Sequence, residues 1–428
     1  MLHKSLMSSA CLVLVLLISF SCTLRRVVGG VSSAKNITAF SVINVTGTIT
    51  NESIIVAVPF GTDITKLVPT IEISEGASIS PASGVSQNFT NSVSYTVTAA
   101  DATKKDYVVT VSALGMVAGD MATFNADGVT FKMAYVPGGL TFKAGPIDST
   151  PTTVSNSYWI GETSVTYELW NVVRLWATNV ARGPNIYSFA NEGFKGSLLL
   201  LGGGNIQQPV TKINWRDAMI WMNALTEWYN EKNNTQYTCA YYIDAGYTTP
   251  IRTSTNSSTI TYTADGSQDA PYVKTEATGF RMLTSMEWEL AARYKGSNSA
   301  DGGYEWPVGS GKWWTPGNYA SGATAACTDR AATRLVSWFL DSDGGDSGSV
   351  THDVKGKAAN ALGLYDMSGN VSQFNFDWGV GSIGLYRARR GGDYHTDATE
   401  LRLGIIPVIF PYSSNTDTIG FRVARTNL

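Results

Sequence analysis

The sequence predicts an α+β chain in two parts: a small all-β sandwich, then a larger body of few helices, short strands and long loops. Three observations predict it. From Asn36 to about Ser112 the β-branched runs "SIIVAVPF", "TIEIS", "VSYTVTA" and "YVVTVS" follow one another, several of them alternating, with Gly, Asn, Asp and Pro between them. After "ALGMVAGDMATFNADGV" Trp becomes frequent and apolar residues recur at helical spacing. Between those helical stretches lie long Gly-, Ser- and Thr-rich segments, unusual in a compact domain unless they are functional or held by other means.

In chain order, His3 and Lys4 precede the apolar run "CLVLVLLISF", which is too short to span a bilayer and reads as a secretory signal peptide. Its end, "SFSC", resembles a lipoprotein cleavage box, so residues 1–22 are expected to be a lipoprotein signal, with Cys22 the lipidated residue. The alternative is an ordinary signal peptide cut nearby, leaving a free Cys. Residues 23–35 read as a polar linker and 36–113 as an immunoglobulin-like β-sandwich. That sandwich contains no His and no Cys, so it carries no evident chemistry.

Residues 120–428 form the second body. "TYELWNVVRLWA" places Leu169, Val173 and Trp176 on one helical face. "NWRDAMIWMNALTEWYN" does the same for Ala218, Trp221, Met222, Leu225 and Trp228, with Asn214 as N-cap. "TSMEWELAARY" opens on a capping box, Thr284 with Glu287, ahead of Trp288, Ala291 and Ala292. "YIDAGYTTPIRTSTNSSTITYTADG" reads as a hairpin insertion.

A formal net charge of −3 argues against a general nucleic-acid binder. With 43% hydrophobic and 15% charged residues the chain is expected to be folded over most of its length. Cys239 and Cys327 could pair in an oxidising compartment, although sequence does not show that their geometry allows it.

Seven ordered strings carry a resemblance: "MAYVPGGLTFKAG", "YWIGETSVTYELW", "QPVTKINWRDAMIWMNAL", "GFRMLTSMEWELAARYKG", "NALGLYDMSGNVSQFNFDW", "RARRGGDY" and "IGFRVAR". Together they resemble the formylglycine-generating-enzyme and sulfatase-modifying-factor family over about Phe124 to Arg425. The resemblance implies an elaborated C-type-lectin fold. Enzymes of that family oxidise a substrate Cys with two active-site cysteines that hold copper. The matching positions here are Thr396 and Leu401, which supply no sulfur for a soft metal. A related branch uses three His for iron, and beyond the signal segment this chain has only His352 and His395. A cluster of Asp393, His395 and Asp397 has no recognised ligand spacing and reads better as a polar loop.

The resemblance also implies a calcium site built from Asp366, Gly369, Val371 and Gln373. Gln stands where the family usually has Glu, and an unmetallated turn is an equal reading. No cofactor is required otherwise. The acidic loop Asp341 to Gly348 resembles a cation loop but lacks the acidic ligand that would follow, and a solvated loop is the better reading.

Near the C-terminus the framework residues Arg390, Gly391, Gly392, Leu401, Arg402, Pro411, Gly420, Phe421 and Arg422 match the family, while the residues between them depart. Asp393 and Tyr394 replace Ser and Trp, and the apolar run Ile405 to Phe410 replaces an Arg-rich region. Such departures resemble the variable proteins of diversity-generating retroelements, spirochaete lipoproteins among them. There a reverse transcriptase substitutes template adenines, so an Asn codon does not become Lys, Glu, Gln, Met or Trp. From Phe374 onward only Trp378 and Glu400 fall in that excluded set. The alternative is a paralogue with drifted loops.

The region 372–425 is therefore expected to carry a variable ligand-binding face. Its expected members are Phe374, Phe376, Asp393, Tyr394, His395, Thr396, Asp397, Ile405, Val408, Ile409, Phe410 and Tyr412. The expected function is a surface-displayed, membrane-anchored lipoprotein that binds a macromolecule, protein or glycan, with no catalytic residue. The competing readings are a formylglycine-generating-type oxidase or accessory factor and an inactive envelope paralogue.

Overall fold

The computed structural model describes residues 30–198, 204–258, 263–341, 350–381, 383–414 and 416–427. Cys22 and the signal segment lie outside the described residues, as does Asp341 to Gly348 beyond its first residue. The chain divides into two compact units, Met1–Leu114 and Gly115–Leu428.

The first unit is all β. One sheet has three strands in the order Val45–Thr46, Ile37–Val42, Pro69–Ile73. The other has five, in the order Thr48–Thr50, Ser53–Val58, Lys104–Ala113, Val93–Thr98, Ser78–Ser80. Alternation dictates which side chains meet between them. In Ser53–Val58, Ile54, Val56 and Val58 are fully buried while the residues between them face outward. Phe40 and Tyr95 close the core edge to face, their centroids 5.7 Å apart.

The second unit wraps two main sheets, several two- and three-stranded ones and three main helices around two aromatic-rich clusters. Its larger sheet runs Phe280–Met282, Val423–Thr426, Tyr158–Gly161, Val129–Val136, Met121–Ala126, all antiparallel. The last strand of the chain is thus held between two earlier ones. Helix α1, Tyr167–Ala177, starts at Thr166, whose hydroxyl accepts from Leu169 N–H. It buries Leu169, Trp170, Val173 and Ala177. Trp176, expected on that face, lies at its margin with the Arg182 guanidinium 3.6 Å above the ring. Helix α2, Trp215–Asn233, has a full capping box, Asn214 with Asp217, and is buried nearly all round in its first three turns. Helix α3, Ser285–Arg293, is capped by Thr284 and Glu287 as the sequence predicts.

The smaller sheet positions the site. Its order is Val408–Ile409, Arg387–Arg390, Ser372–Trp378, Ile419–Phe421. Ser372–Trp378 pairs in parallel with Ile419–Phe421, and Val408–Ile409 is the edge. Pro407 stands just before that edge strand, where its missing N–H costs no ladder bond. The run Ile405 to Phe410 is therefore neither a central strand nor a free loop.

Candidate functional site

The framework residues fix the ground on which the candidate stretches stand. Arg390 is fully buried. Its Nη2 lies 2.7 Å from Glu289, its Nε donates to Ser285 and its Nη1 to the Leu403 carbonyl. Gly391 and Gly392 follow at φ +97° and +62°, and a Cβ on the first would sit 2.5 Å from the Met367 carbonyl oxygen. Arg422, also buried, donates to the carbonyls of Gly161 and Tyr365 and to Gln373 Oε1.

On that ground the candidate residues separate into three settings. Phe374 is in the core, 1% exposed, and pairs in register with Phe421. Phe376 stacks on Tyr241 with centroids 5.2 Å apart and meets Trp215 at a tilt, 5.5 Å away. Both were expected on the binding face. Phe374 is instead core and Phe376 only half-exposed, because the Ser372–Trp378 strand lies inside the sheet.

Asp393 and Tyr394 are likewise buried, 3% and 2% exposed, contrary to expectation. Asp393 accepts from His395 N–H and Ser372 Oγ and pairs with Arg389 at 3.5 Å. Burial raises its carboxyl pKa, opposed by Arg389. Burial also raises the Tyr394 hydroxyl to about 12, with Ser197 and Asp417 as its partners. His395 remains exposed, while Thr396 and Asp397 are half-buried. Thr396 Oγ1 donates to the Asp393 carbonyl. Asp397 caps the short turn Ala398–Leu401 and binds Arg330 Nη2, and the Thr399 N–H it accepts leads the causes that lower its pKa. The three polar side chains of this loop are thus engaged with neighbours rather than turned toward a common point.

The third setting is the sheet edge. Val408 is 40% exposed, Ile405 and Phe410 are half-exposed, and Ile409 packs partly on the main core. Phe410 lies between Tyr386, 4.4 Å away by centroids, and Tyr412, 5.1 Å away and stacked. Tyr412 has the Arg216 guanidinium 5.8 Å from its ring. The hairpin linking Ser372–Trp378 to Arg387–Arg390 adds Val380, Ile383 and Leu385, 84%, 85% and 46% exposed. These residues form a dense group of exposed apolar side chains at the sheet edge. Tyr386 and the hairpin residues were not singled out from the sequence. The nearest signal was "RARR", a charge density too high for a strand whose arginines lack dedicated partners.

Of the expected calcium set, Gln373 is already engaged within the protein. Gln373 Oε1 already accepts from Trp288 Nε1 at 2.8 Å and from Arg422 Nε at 3.1 Å. Its Nε2 donates to the Asp366 carbonyl. The Gln373 oxygen is therefore already engaged by an indole N–H and a guanidinium, while Asp366 Oδ1 is buried without a partner among the described residues. Asp366 is buried with its pKa raised by desolvation, and Gly369 and Val371 complete a turn held by the Gly369 N–H to Gly391 carbonyl bond. Among the described residues no group of three His, Cys, Asp or Glu is placed to hold a metal ion.

Leu401 is fully buried in a small cluster with Cys327, Ala398 and Phe339. Cys239 and Cys327 are both free and buried, so the pairing considered from sequence does not occur. Burial pushes both thiols up, Cys327 to about 12, the opposite of what a thiolate nucleophile requires.

With this geometry in hand, known proteins place the chain. The family described as Sulfatase-modifying factor enzyme 1-like domain matches residues 119–427. A second family, SGBP, N-terminal, matches residues 37–111. Among solved structures, Treponema denticola variable protein 1 is 26% identical, with a TM-score of 0.50, over 72% of this chain and 99% of that one. CarF is 24% identical, with a TM-score of 0.50, over 69% and 98%, a likeness of fold alone. The Chaperone protein LppX of Paenibacillus barcinonensis is 26% identical over 260 residues, 58% of this chain and 72% of that protein. The chain belongs to the sulfatase-modifying factor enzyme 1-like family, in a C-type-lectin-like fold preceded in sequence by an all-β unit.

Proposed function

We propose that this protein is an exported, lipid-anchored binding protein whose C-terminal surface recognises a macromolecule, and that it is not an oxidase of the formylglycine-generating type. The observation that carries the reading is the aromatic and aliphatic surface at the sheet edge, Tyr386, Val408, Phe410 and Tyr412, mounted on the buried Arg390–Glu289 framework. Rigid aromatic side chains on a fixed scaffold give contact area at little cost in conformational entropy. The likeness to a variable protein of Treponema denticola supports a diversified surface of the kind built by retroelements. Thr396 and Leu401 at the positions of the redox cysteines weigh against oxidase chemistry. Anchoring through Cys22 at the outer envelope completes the reading.

The test presents labelled full-length protein to a panel of purified matrix proteins and polysaccharides. Wild type binds at least one of them, and combined replacement of His395, Val408, Phe410 and Tyr412 by Ser weakens that binding at least about tenfold, the loss of roughly one anchor residue. Tyr394 is left intact because it is buried. Undiminished binding by the quadruple variant would remove this surface from the account.

A further inference from the structure

Beside the aromatic edge lies a cleft of about 350 Å³, lined by Asp265, Asp269, Pro271, Asp377, Trp378 and Arg387. It exists because the Ser372–Trp378 strand bulges between Phe374 and Trp378, where the Phe376 N–H leaves the ladder for the Leu283 carbonyl. The bulge re-aims Asp377 and Trp378 out of the sheet, so both are half-exposed. The cleft adjoins the aromatic edge through two links. Arg387 is the register partner of Ile409, and Arg216, which binds Asp269 through both oxygens at 2.6 Å, reaches toward Tyr412.

Its polar groups are incompletely satisfied in a particular pattern. The Arg387 guanidinium is sandwiched between Trp215 and Trp378, 3.7 and 3.5 Å from their centroids, and only 1% of the residue is exposed. Its Nη1 and Nη2 donate to the carbonyls of Phe376 and Asp269, while its Nε–H is buried without an acceptor among the described residues. A buried donor left unpaired is costly and calls for an explanation. Two acceptors are also spare. Asp377 takes the Ser285 N–H on Oδ2 alone, and exposed Asp265 has no hydrogen-bond partner among the described residues.

Three kinds of ligand group are distinguished by this pattern. An ammonium brings donors only; it leaves the Nε–H unanswered and meets the charge of Arg387. A phosphate or carboxylate brings acceptors only and meets Asp265 and Asp377. A hydroxyl donates and accepts at once. Adjacent hydroxyls on a ring with an apolar face would satisfy the carboxylates and the guanidinium while the ring carbons cover Trp378 and Pro271.

We propose that this cleft is a subsite for a neutral sugar ring, with Asp265 and Asp377 accepting from its hydroxyls, Arg387 donating to one, and Trp378 giving the apolar wall. The inference rests on the binding reading above and names the ligand's chemical class as glycan.

Saturation-transfer NMR on the full-length chain tests it. The probes are the methyl glycosides of glucose, galactose, mannose and N-acetylglucosamine, with methylammonium and inorganic phosphate as competitors. At least one glycoside receives saturation. Asp265→Ala and Asp377→Asn each weaken it about tenfold, the size expected for one hydrogen bond to a charged group. Among the described residues the Asp265 side chain has no hydrogen-bond partner, and Asn at 377 keeps an acceptor for Ser285, so neither variant should unfold. Saturation of no glycoside, binding unchanged in both variants, or displacement by methylammonium or phosphate would each overturn the sugar assignment. The wider reading fails separately. In that case the His395, Val408, Phe410 and Tyr412 variant binds its macromolecule as wild type does, whatever the glycosides show.

Discussion

Replacing Phe410 by Ala separates a surface aromatic from a core one. The ring is half-exposed and touches Tyr386 and Tyr412 rather than the main cluster. Full burial of a Phe side chain contributes about 1.5–3 kcal/mol. Half of that, with part of an aromatic pair interaction of about 0.5–1.5 kcal/mol, gives an expected loss of about 1–2 kcal/mol. Phe421 is the internal standard. It is fully buried, with its ring 5.3 Å from Trp221 and 5.9 Å from Trp170, and its removal should cost roughly 3–5 kcal/mol through transfer and cavity terms. The assay is denaturant unfolding followed by Trp fluorescence. All 12 Trp residues lie between Trp159 and Trp378, so the signal reports the second unit alone. A Phe410→Ala loss equal to that of Phe421→Ala would mean that the apolar run belongs to the core, and would refute its assignment to a contact surface.

Three further outcomes are expected. Purified protein incubated with copper, oxygen and a Cys-containing sulfatase peptide forms no aldehyde, because Thr396 and Leu401 occupy the redox positions; robust turnover would reverse the non-enzyme reading. Metabolic labelling with a fatty acid tags wild type but not Cys22→Ser; equal labelling of both would remove the anchor. Asp393 titrates above the usual carboxylate range, so its protonated form favours the fold: that contribution is full below about pH 3.9 and is lost as pH rises through the folded pKa. Asp393→Asn should therefore gain stability relative to wild type as pH rises above the ordinary carboxylate value, read as the difference in Tm, and a difference that shrinks with rising pH would contradict the sign.

The helices were legible because their signals are local. Asn214, Thr284 and Glu287 cap where they stand in sequence, and the apolar faces follow from spacing. The fold class was legible through motif order, since Arg390, the two glycines and Arg422 are each fixed by close buried neighbours in this fold. Exposure within the C-terminal stretch 372–425 was not legible. Phe374 and Phe410 look alike as residues, yet one lies on an interior strand and the other just past an edge strand. Asp393 and Tyr394 look like surface residues, but Arg389, Ser197 and Asp417, distant in sequence or across a bend, enclose them. The cleft at Arg387 was invisible because it depends on a bulge, two extra residues that no periodicity announces.

The central claim, a diversified surface displayed for binding, is tested most directly by sequencing the DNA that adjoins the coding segment for residues 372–425. The account predicts a near-copy of that segment beside a reverse-transcriptase gene. It should differ almost only at adenines, with the differences falling on codons for exposed positions such as His395, Val408, Phe410 and Tyr412 and sparing Phe374, Leu401 and Phe421. A flanking region with no such copy, or one whose differences fall on buried and exposed codons alike, would contradict it.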